Sequence, residues 1–312
     1  MDWKKTGKAL LFPHPLVAAL VLPLALCLML SGCRAAPPQT TATQPVRPSA
    51  PAATQPPTTQ PQFRFPETVL ADTEYCTFTV RSIDPDGTFG YTLQVLLENK
   101  TQLDLMFSLR GVSVNGYMCD PFFAATVSAG MKSNEEISFL KSDLAANGIT
   151  EVTDITFTLA VYDSTDILAE YLMEEEFTVY PQGEEAQRTY ERQSAQTDVV
   201  LVSNEDCAII VTGFEPDSTW GYAMGVYLEN RTDEALMFSA SDVAVNGYMC
   251  DPYWAVEVAP GKRCNCQITW SKTDLADNGI TQVEKITLPI RVYDSDDWLE
   301  GEILSETFTI TP

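Results

Sequence analysis

From Glu67 onward the chain alternates apolar and polar side chains in short runs, the period of two that marks half-buried strands. Ile155-Thr-Phe157-Thr-Leu159-Ala-Val161 is the cleanest such run. Cys76-Thr-Phe78-Thr-Val80 alternates likewise and stops at Asp84-Pro-Asp-Gly87, where each residue favours a turn for its own conformational reason. Tyr91-Thr-Leu93-Gln-Val95-Leu-Leu97 ends at Glu98-Asn-Lys-Thr101, and Leu105-Met-Phe107-Ser-Leu109 leads towards Val112-Ser-Val114. Phe122 to Val127, Ile137-Ser-Phe139 and Phe177-Thr-Val179 extend the series. One segment breaks it: Ser142-Asp-Leu-Ala-Ala-Asn-Gly148 predicts a short helical turn that Ser142 caps and Gly148 ends.

The whole pattern then returns. Asn115-Gly-Tyr-Met-Cys-Asp-Pro121 recurs as Asn246 to Pro252, 131 positions later, and the register runs without a gap from Glu67–Pro181 to Asp198–Pro312. Roughly half of the aligned positions are identical, which is a tandem duplication. Within the heptapeptide, Asn-Gly predicts a type I′ turn, because both central residues tolerate positive φ. That hairpin sets Val114 opposite Tyr117 and Val112 opposite Cys119, all on one face. Val243, Val245, Tyr248 and Cys250 repeat the arrangement. In the second copy of the cleanest run, Pro289 replaces Thr158, which argues for an edge or bulged position.

Some seven short strands per copy, with little helix, describe an all-β fold of two tandem immunoglobulin-like β-sandwich domains. They occupy residues 67–181 and 198–312, and the polar stretch 182–197 links them. Leu-Glu-Asn-Lys/Arg-Thr at Leu97 and Leu228, Leu-Met-Phe-Ser at Leu105 and Leu236, the heptapeptide, and Asn-Gly-Ile-Thr at Asn147 and Asn278 carry a narrower likeness. Together they resemble a repeat of uncharacterised surface lipoproteins of Gram-positive bacteria. The resemblance implies this fold and an envelope location and supplies no activity.

Ahead of the repeats, Lys4, Lys5 and Lys8 precede the apolar run Ala9 to Leu30, an export signal in residues 1–32. It closes on Leu30-Ser31-Gly32-Cys33, which resembles the lipobox of bacterial lipoproteins. That resemblance implies that Cys33 is acylated, begins the mature chain and anchors it to the extracellular face of the membrane. Residues 33–66 are rich in Pro, Thr, Gln and Ala and cannot bury enough surface to offset their ordering entropy. They read as a disordered tether with a reach on the order of 100 Å.

Charge and composition narrow the chemistry. The formal net charge is −24, and removing residues 1–32 takes away three Lys and one Asp, which makes nucleic acid an unsuitable partner. The single histidine, His14, lies in the leader, so the mature chain is left without imidazole for Ser-His-Asp, Cys-His or histidine-metal chemistry. No cofactor is implied.

Of the eight cysteines, Cys27 falls in the expected leader and Cys33 is the one that the lipobox resemblance assigns to lipid. Cys76 shares the strand parity of Phe78 and Val80, and Cys119 that of Val112. Disulfides Cys76–Cys119 and Cys207–Cys250 are therefore candidates, each contributing roughly 4 kcal/mol in the chain-entropy model, against buried free thiols as the alternative. Cys264 and Cys266 stand where the first copy has Ser133 and Glu135, which suggests an exposed strand start and a candidate redox pair.

Aromatic positions recur as Phe89/Trp220, Phe123/Trp254 and Phe139/Trp270, and duplication favours core packing for the last. Phe122, Phe123, Tyr253, Trp254 and Trp298 are the candidate ligand-binding residues, able to meet a surface protein or glycan. The loops Asp163-Ser-Thr-Asp166 and Asp294-Ser-Asp-Asp297 lack full calcium-loop spacing and read as solvated turns. The expected function is non-catalytic binding or adhesion at the cell surface. A passive spacer is the alternative, with a thiol-redox or glycan-processing enzyme behind it. An exposed aromatic or concave patch alike on both domains would favour binding.

Overall fold

The computed structural model describes residues 65–121, 123–166, 170–188, 192–297 and 301–312. The chain divides into the units Met1–Thr58 and Thr59–Pro312, and both repeats lie in the second. The expected leader, Cys33 and most of the tether lie outside the described residues.

In the first repeat the strands are β1 (Thr68–Asp72), β2 (Cys76–Asp84), β3 (Gly90–Asn99), β4 (Leu105–Val114), β5 (Tyr117–Met118), β6 (Ala124–Val127) and β7 (Lys132–Leu140). After β7 come α1 (Lys141–Ala146), β8 (Ile155–Asp163) and β9 (Met173–Val179). The second repeat runs β10 (Val199–Ser203), β11 (Cys207–Glu215), β12 (Gly221–Asn230), β13 (Leu236–Ala240), β14 (Ala244–Val245), β15 (Tyr248–Met249) and β16 (Trp254–Val258). It ends with β17 (Arg263–Ser271), α2 (Lys272–Asp277), β18 (Ile286–Asp294) and β19 (Leu304–Ile310).

Each repeat is a sandwich of two antiparallel sheets. In the first, β1-β2-β3-β7 faces a sheet in which β4 and β8 are central, β9 is one edge and the return strand β5/β6 is the other. Alternation drives the packing: Phe78, Leu93, Leu97 and Ile137 from one sheet meet Phe107, Ile155, Phe157 and Leu159 from the other, all fully buried. Ile209, Leu228, Phe238, Ile286, Leu288 and Trp270 build the separate second core in the same way. A large side chain buried like this contributes about 1.5–3 kcal/mol. The all-β, immunoglobulin-like sandwich expected from the alternation is the observed fold. The edge strands β1 and β10, too short to show a period, were not foreseen.

The Asn-Gly turns are type I′, with Asn115 at φ 49° and Gly116 at φ 76°. Val114 pairs with Tyr117, and Cys119 donates its amide to Val112 at 2.9 Å, as the hairpin reading requires. Pro289 is a correction in part: β18 is a central strand, between β13/β14 and β19. Pro289 is tolerated because its partner strand is broken there, where Asp242 takes φ 57° between β13 and β14. The first repeat keeps β4 whole, with a register shift beside Gly111 at φ 56°.

The helical turns form where expected, but the first is capped differently. Ser142 lies inside α1, and Leu140 at the N-cap accepts no side-chain bond. In α2 the equivalent N-cap is Ser271, whose Oγ accepts from the Asp274 amide at 3.0 Å.

The two sandwiches are joined by more than their linker. β5 adds in parallel to the open edge of β17 through the pair Tyr117 and Arg263, so one sheet runs β10-β11-β12-β17-β5-β4-β8-β9 through both repeats. In the linker, Arg192 makes a two-pronged ion pair with Asp198, at 2.7 and 2.8 Å, and lies 4.9 Å over the Tyr227 ring.

Candidate functional site

The structure repeats one concave feature in both halves. It forms where the turn after β2 (or β11), the end of the short helix and the tail of the last strand converge. Two local devices shape it. The helix ends in a Schellman motif: Gly148 takes φ 67°, its amide reaches Ala145 O at 2.9 Å, and Ile149 folds back to donate to Leu144 O at 2.8 Å. Gly279 and Ile280 reproduce this on Ala276 and Leu275. The strand turn is pressed against the helix start by a glycine: a Cβ on Gly90 would stand 2.0 Å from Phe139 O, and one on Gly221 would stand 1.9 Å from Trp270 O.

The resulting clefts measure about 810 Å³ in the first repeat and about 450 Å³ in the second. Tyr91 and Tyr222, Leu144 and Leu275, Ile149 and Ile280, and Val152 and Val283 occupy corresponding places in their linings. So do Ile83 and Phe214, Pro85 and Pro216, Asp86 and Asp217, and Pro181 and Pro312. Phe65, Ser82, Lys141 and Gln182 line the first cleft alone. The second cleft carries Gln282 where the first has Glu151, which the linker residues Gln182 and Arg188 hold at 2.9 Å each.

The chemistry of the cleft is an aliphatic and aromatic floor with a few polar groups. Tyr222 is 6% exposed, packs near Phe214 and Trp270 with ring centroids 6.2 and 6.1 Å away, and its Oη has no hydrogen-bond partner among the described residues. Burial pushes its pKa up to about 12, and it pushes that of Tyr91 well above the ordinary phenol range, so both stay neutral donors. The loop that supplies Pro85 and Asp86 also carries Phe89, 66% exposed, and its twin carries Trp220, 79% exposed.

These aromatics were grouped in the sequence with core positions, and nothing in a local pattern separates them from Phe139 and Trp270, which are fully buried. Of the residues singled out for binding, Tyr253 is 94% exposed at φ 51°. Trp254 is instead buried, as the first residue of β16, and Phe123, one residue before β6, packs against the first core, both on the inward parity. Phe122 and Trp298 lie outside the described residues. The cleft itself was not foreseen, since its lining comes from segments far apart in the chain.

The cysteines also require correction. Cys76, Cys119, Cys207 and Cys250 are free thiols, and neither expected bridge is formed. Cys76 lies at the Asn99 end of its sandwich beside Met173, whereas Cys119 lies near Asp143 of α1, at the other end of the strands. Strand parity places both inward without bringing them together. Burial pushes the Cys119 thiol up to about 12 and the Cys207 thiol up to about 11.

Cys264 and Cys266 face the second core with Ile268 and Trp270 rather than solvent. Cys266 Sγ lies 3.6 Å from Val226 O, and the neighbouring Cys266 sulfur draws the Cys264 thiol below its ordinary range. The acidic loops are closed on themselves: Asp163 Oδ1 accepts from Thr165 N and Oγ1, and Asp294 Oδ1 from the Asp296 and Asp297 amides. No cluster of three metal-ligating side chains occurs among the described residues.

No protein-family model matches the chain, and no curated protein matches it. Among solved structures, it is similar to a chain of the CsuC–CsuE chaperone–tip adhesion subunit pre-assembly complex of archaic Csu pili from Acinetobacter baumannii. That match has 14% identity over 70% of this chain and 91% of that one, with a TM-score of 0.21. A superposition of that quality supports no inference about site or function.

Proposed function

We propose that this is a lipid-anchored protein of the extracellular face of a bacterial membrane, whose two immunoglobulin-like domains bind a surface ligand without catalysis. Its place among the repeat-bearing surface lipoproteins of Gram-positive bacteria belongs to the same reading. Cys33 provides the anchor, and residues 34–66 carry the domains away from the membrane. The observation that carries the binding role is the cleft that recurs, position for position, in both halves. A passive spacer has no use for a concave apolar site repeated in each domain, or for an aromatic exposed at the same place in each.

The ligand class that fits best is a glycan. A sugar ring offers an apolar face to such a floor and hydroxyls to a phenol and to carboxylates at the rim. Two equivalent clefts on one chain would bind a repeating polymer with avidity beyond either site alone. The test is capture of bacterial and host surface glycans by the intact protein, compared with the double variant Leu144→Trp/Leu275→Trp, which fills both clefts. Loss of at least tenfold in affinity supports the proposal, and Tyr222→Phe should weaken binding with the fold intact. Unchanged capture by the filled variant would refute the site, whereas selective capture of a polypeptide would refute only the ligand class.

A further inference from the structure

The same seven residues occur twice and meet opposite fates. In the first repeat Tyr117 is 1% exposed and Met118 packs against the core of the second repeat. In the second repeat Tyr248 is 53% and Met249 63% exposed. The burial of the first copy comes from one docking contact. Gly116 O accepts from the Arg263 amide at 3.0 Å, the Arg263 guanidinium lies 5.2 Å over the Tyr117 ring, and Asn265 Nδ2 donates to Asn147 Oδ1 at 3.0 Å. A Cβ on Gly116 would stand 2.7 Å from Arg263, while one on Gly247 would meet nothing within 4 Å.

The socket is duplicated too. β7 holds the register on β3 that β17 holds on β12, with Lys132 opposite Glu98 as Arg263 is opposite Glu229. Within its own sheet β7 is the edge strand, so the Lys132 amide faces outward as that of Arg263 does. Each group of the internal contact therefore has a counterpart: Gly247 and Tyr248 on the hairpin, Lys132, which pairs with Glu98 at 2.9 Å, and Asn134, whose Oδ1 accepts from Arg81 at 2.9 Å, on the edge, and Asn278 for Asn147.

We propose that the second hairpin docks on the β7 edge of another copy of this chain, joining copies head to tail as β5 joins the two repeats within one chain. Lys132 supplies a cation for the Tyr248 ring, as Arg263 does for Tyr117. Ser133 and Glu135 replace the apolar Cys264 and Cys266, and Leu96 replaces the Tyr227 on which the linker Arg192 stacks. The contact between copies is therefore weaker than the internal one and reversible. Because hairpin and edge are different surfaces, the contact is heterologous and builds rings or open rows unless one end is blocked.

Sedimentation velocity of the full chain in detergent tests this with two blocked forms. Tyr248→Ser/Met249→Glu disables the hairpin, and Lys132→Pro removes the outward amide of the edge, with Asn134→Glu as a second edge variant should the proline disturb β7. The unaltered chain is expected to form dimers and longer species as concentration rises, and each blocked form to remain monomeric. Mixing a hairpin-blocked with an edge-blocked form should restore dimers and nothing longer, since one intact hairpin and one intact edge remain. A monomeric unaltered chain, association that survives either block, or a mixture that stays monomeric would each overturn the proposal.

Discussion

At the scale of single residues, the most consequential side chains are asparagines. Asn99 and Asn230 are 1% exposed and match a glycosylation pattern, yet each is fully engaged, tying its own turn to the return strand. Asn99 Nδ2 donates to Leu103 O at 2.7 Å and Val127 O at 2.8 Å, while Oδ1 accepts from the amide and hydroxyl of Thr101. Asn230 repeats all four bonds. Asn99→Ala would take the side-chain donor from the buried Val127 carbonyl and the acceptor from the Thr101 amide, so the expected loss is about 1–3 kcal/mol in urea unfolding. A loss below about 0.5 kcal/mol would contradict this account. Tyr222 predicts a pH effect with a definite sign. Its folded pKa of about 12 lies above the ordinary phenol value near 10, so its contribution is complete below pH 10 and lost as pH rises towards 12. Urea titrations across that window should show a shallower decline in stability for Tyr222→Phe.

At the scale of elements, the two copies run a natural experiment in helix capping. Ser271 caps α2 through the Asp274 amide, while α1 begins at Leu140 without a side-chain cap. Ser271→Ala should cost about 1 kcal/mol, and Leu140→Ser should gain up to a comparable amount, because the N-cap oxygen satisfies an amide that otherwise lacks a helical partner. Ser142→Ala should be close to neutral, since its hydroxyl bonds only the neighbouring Asp143 carboxylate. Thermal unfolding that ranked Ser142 above Ser271 would contradict this assignment of the cap. The same short helices, through their Schellman ends, place Leu144 and Leu275 in the clefts, so helix geometry and the candidate binding surface stand or fall together.

For the whole molecule, the question is whether two sandwiches act as one body. The sheet that passes from β17 to β5 couples them, and the Arg192–Asp198 pair fixes the linker to the second sandwich. Tyr117→Ala removes a ring buried at that junction and should cost about 3 kcal/mol, whereas Tyr248→Ala, at the identical position of an unoccupied hairpin, should change stability by less than about 0.5 kcal/mol. Equal costs for the two substitutions in denaturant unfolding would mean that the coupling contributes nothing.

Alternation, the Asn-Gly turn and the gapless duplication were legible in the amino-acid sequence, because each is a property of neighbouring residues and of steric limits on φ and ψ. From them follow the sandwich, the type I′ hairpins and the inward face of Cys76. The tertiary structure alone decided which of two identical hairpins is buried, that Cys76 and Cys119 lie at opposite ends of their sandwich, and that Cys264 and Cys266 face the core. It also decided that Tyr91, Leu144 and Pro181 meet in a cleft. These outcomes depend on which segments distant in sequence come into contact, and identical residues have different surroundings when only one of them has a neighbouring domain.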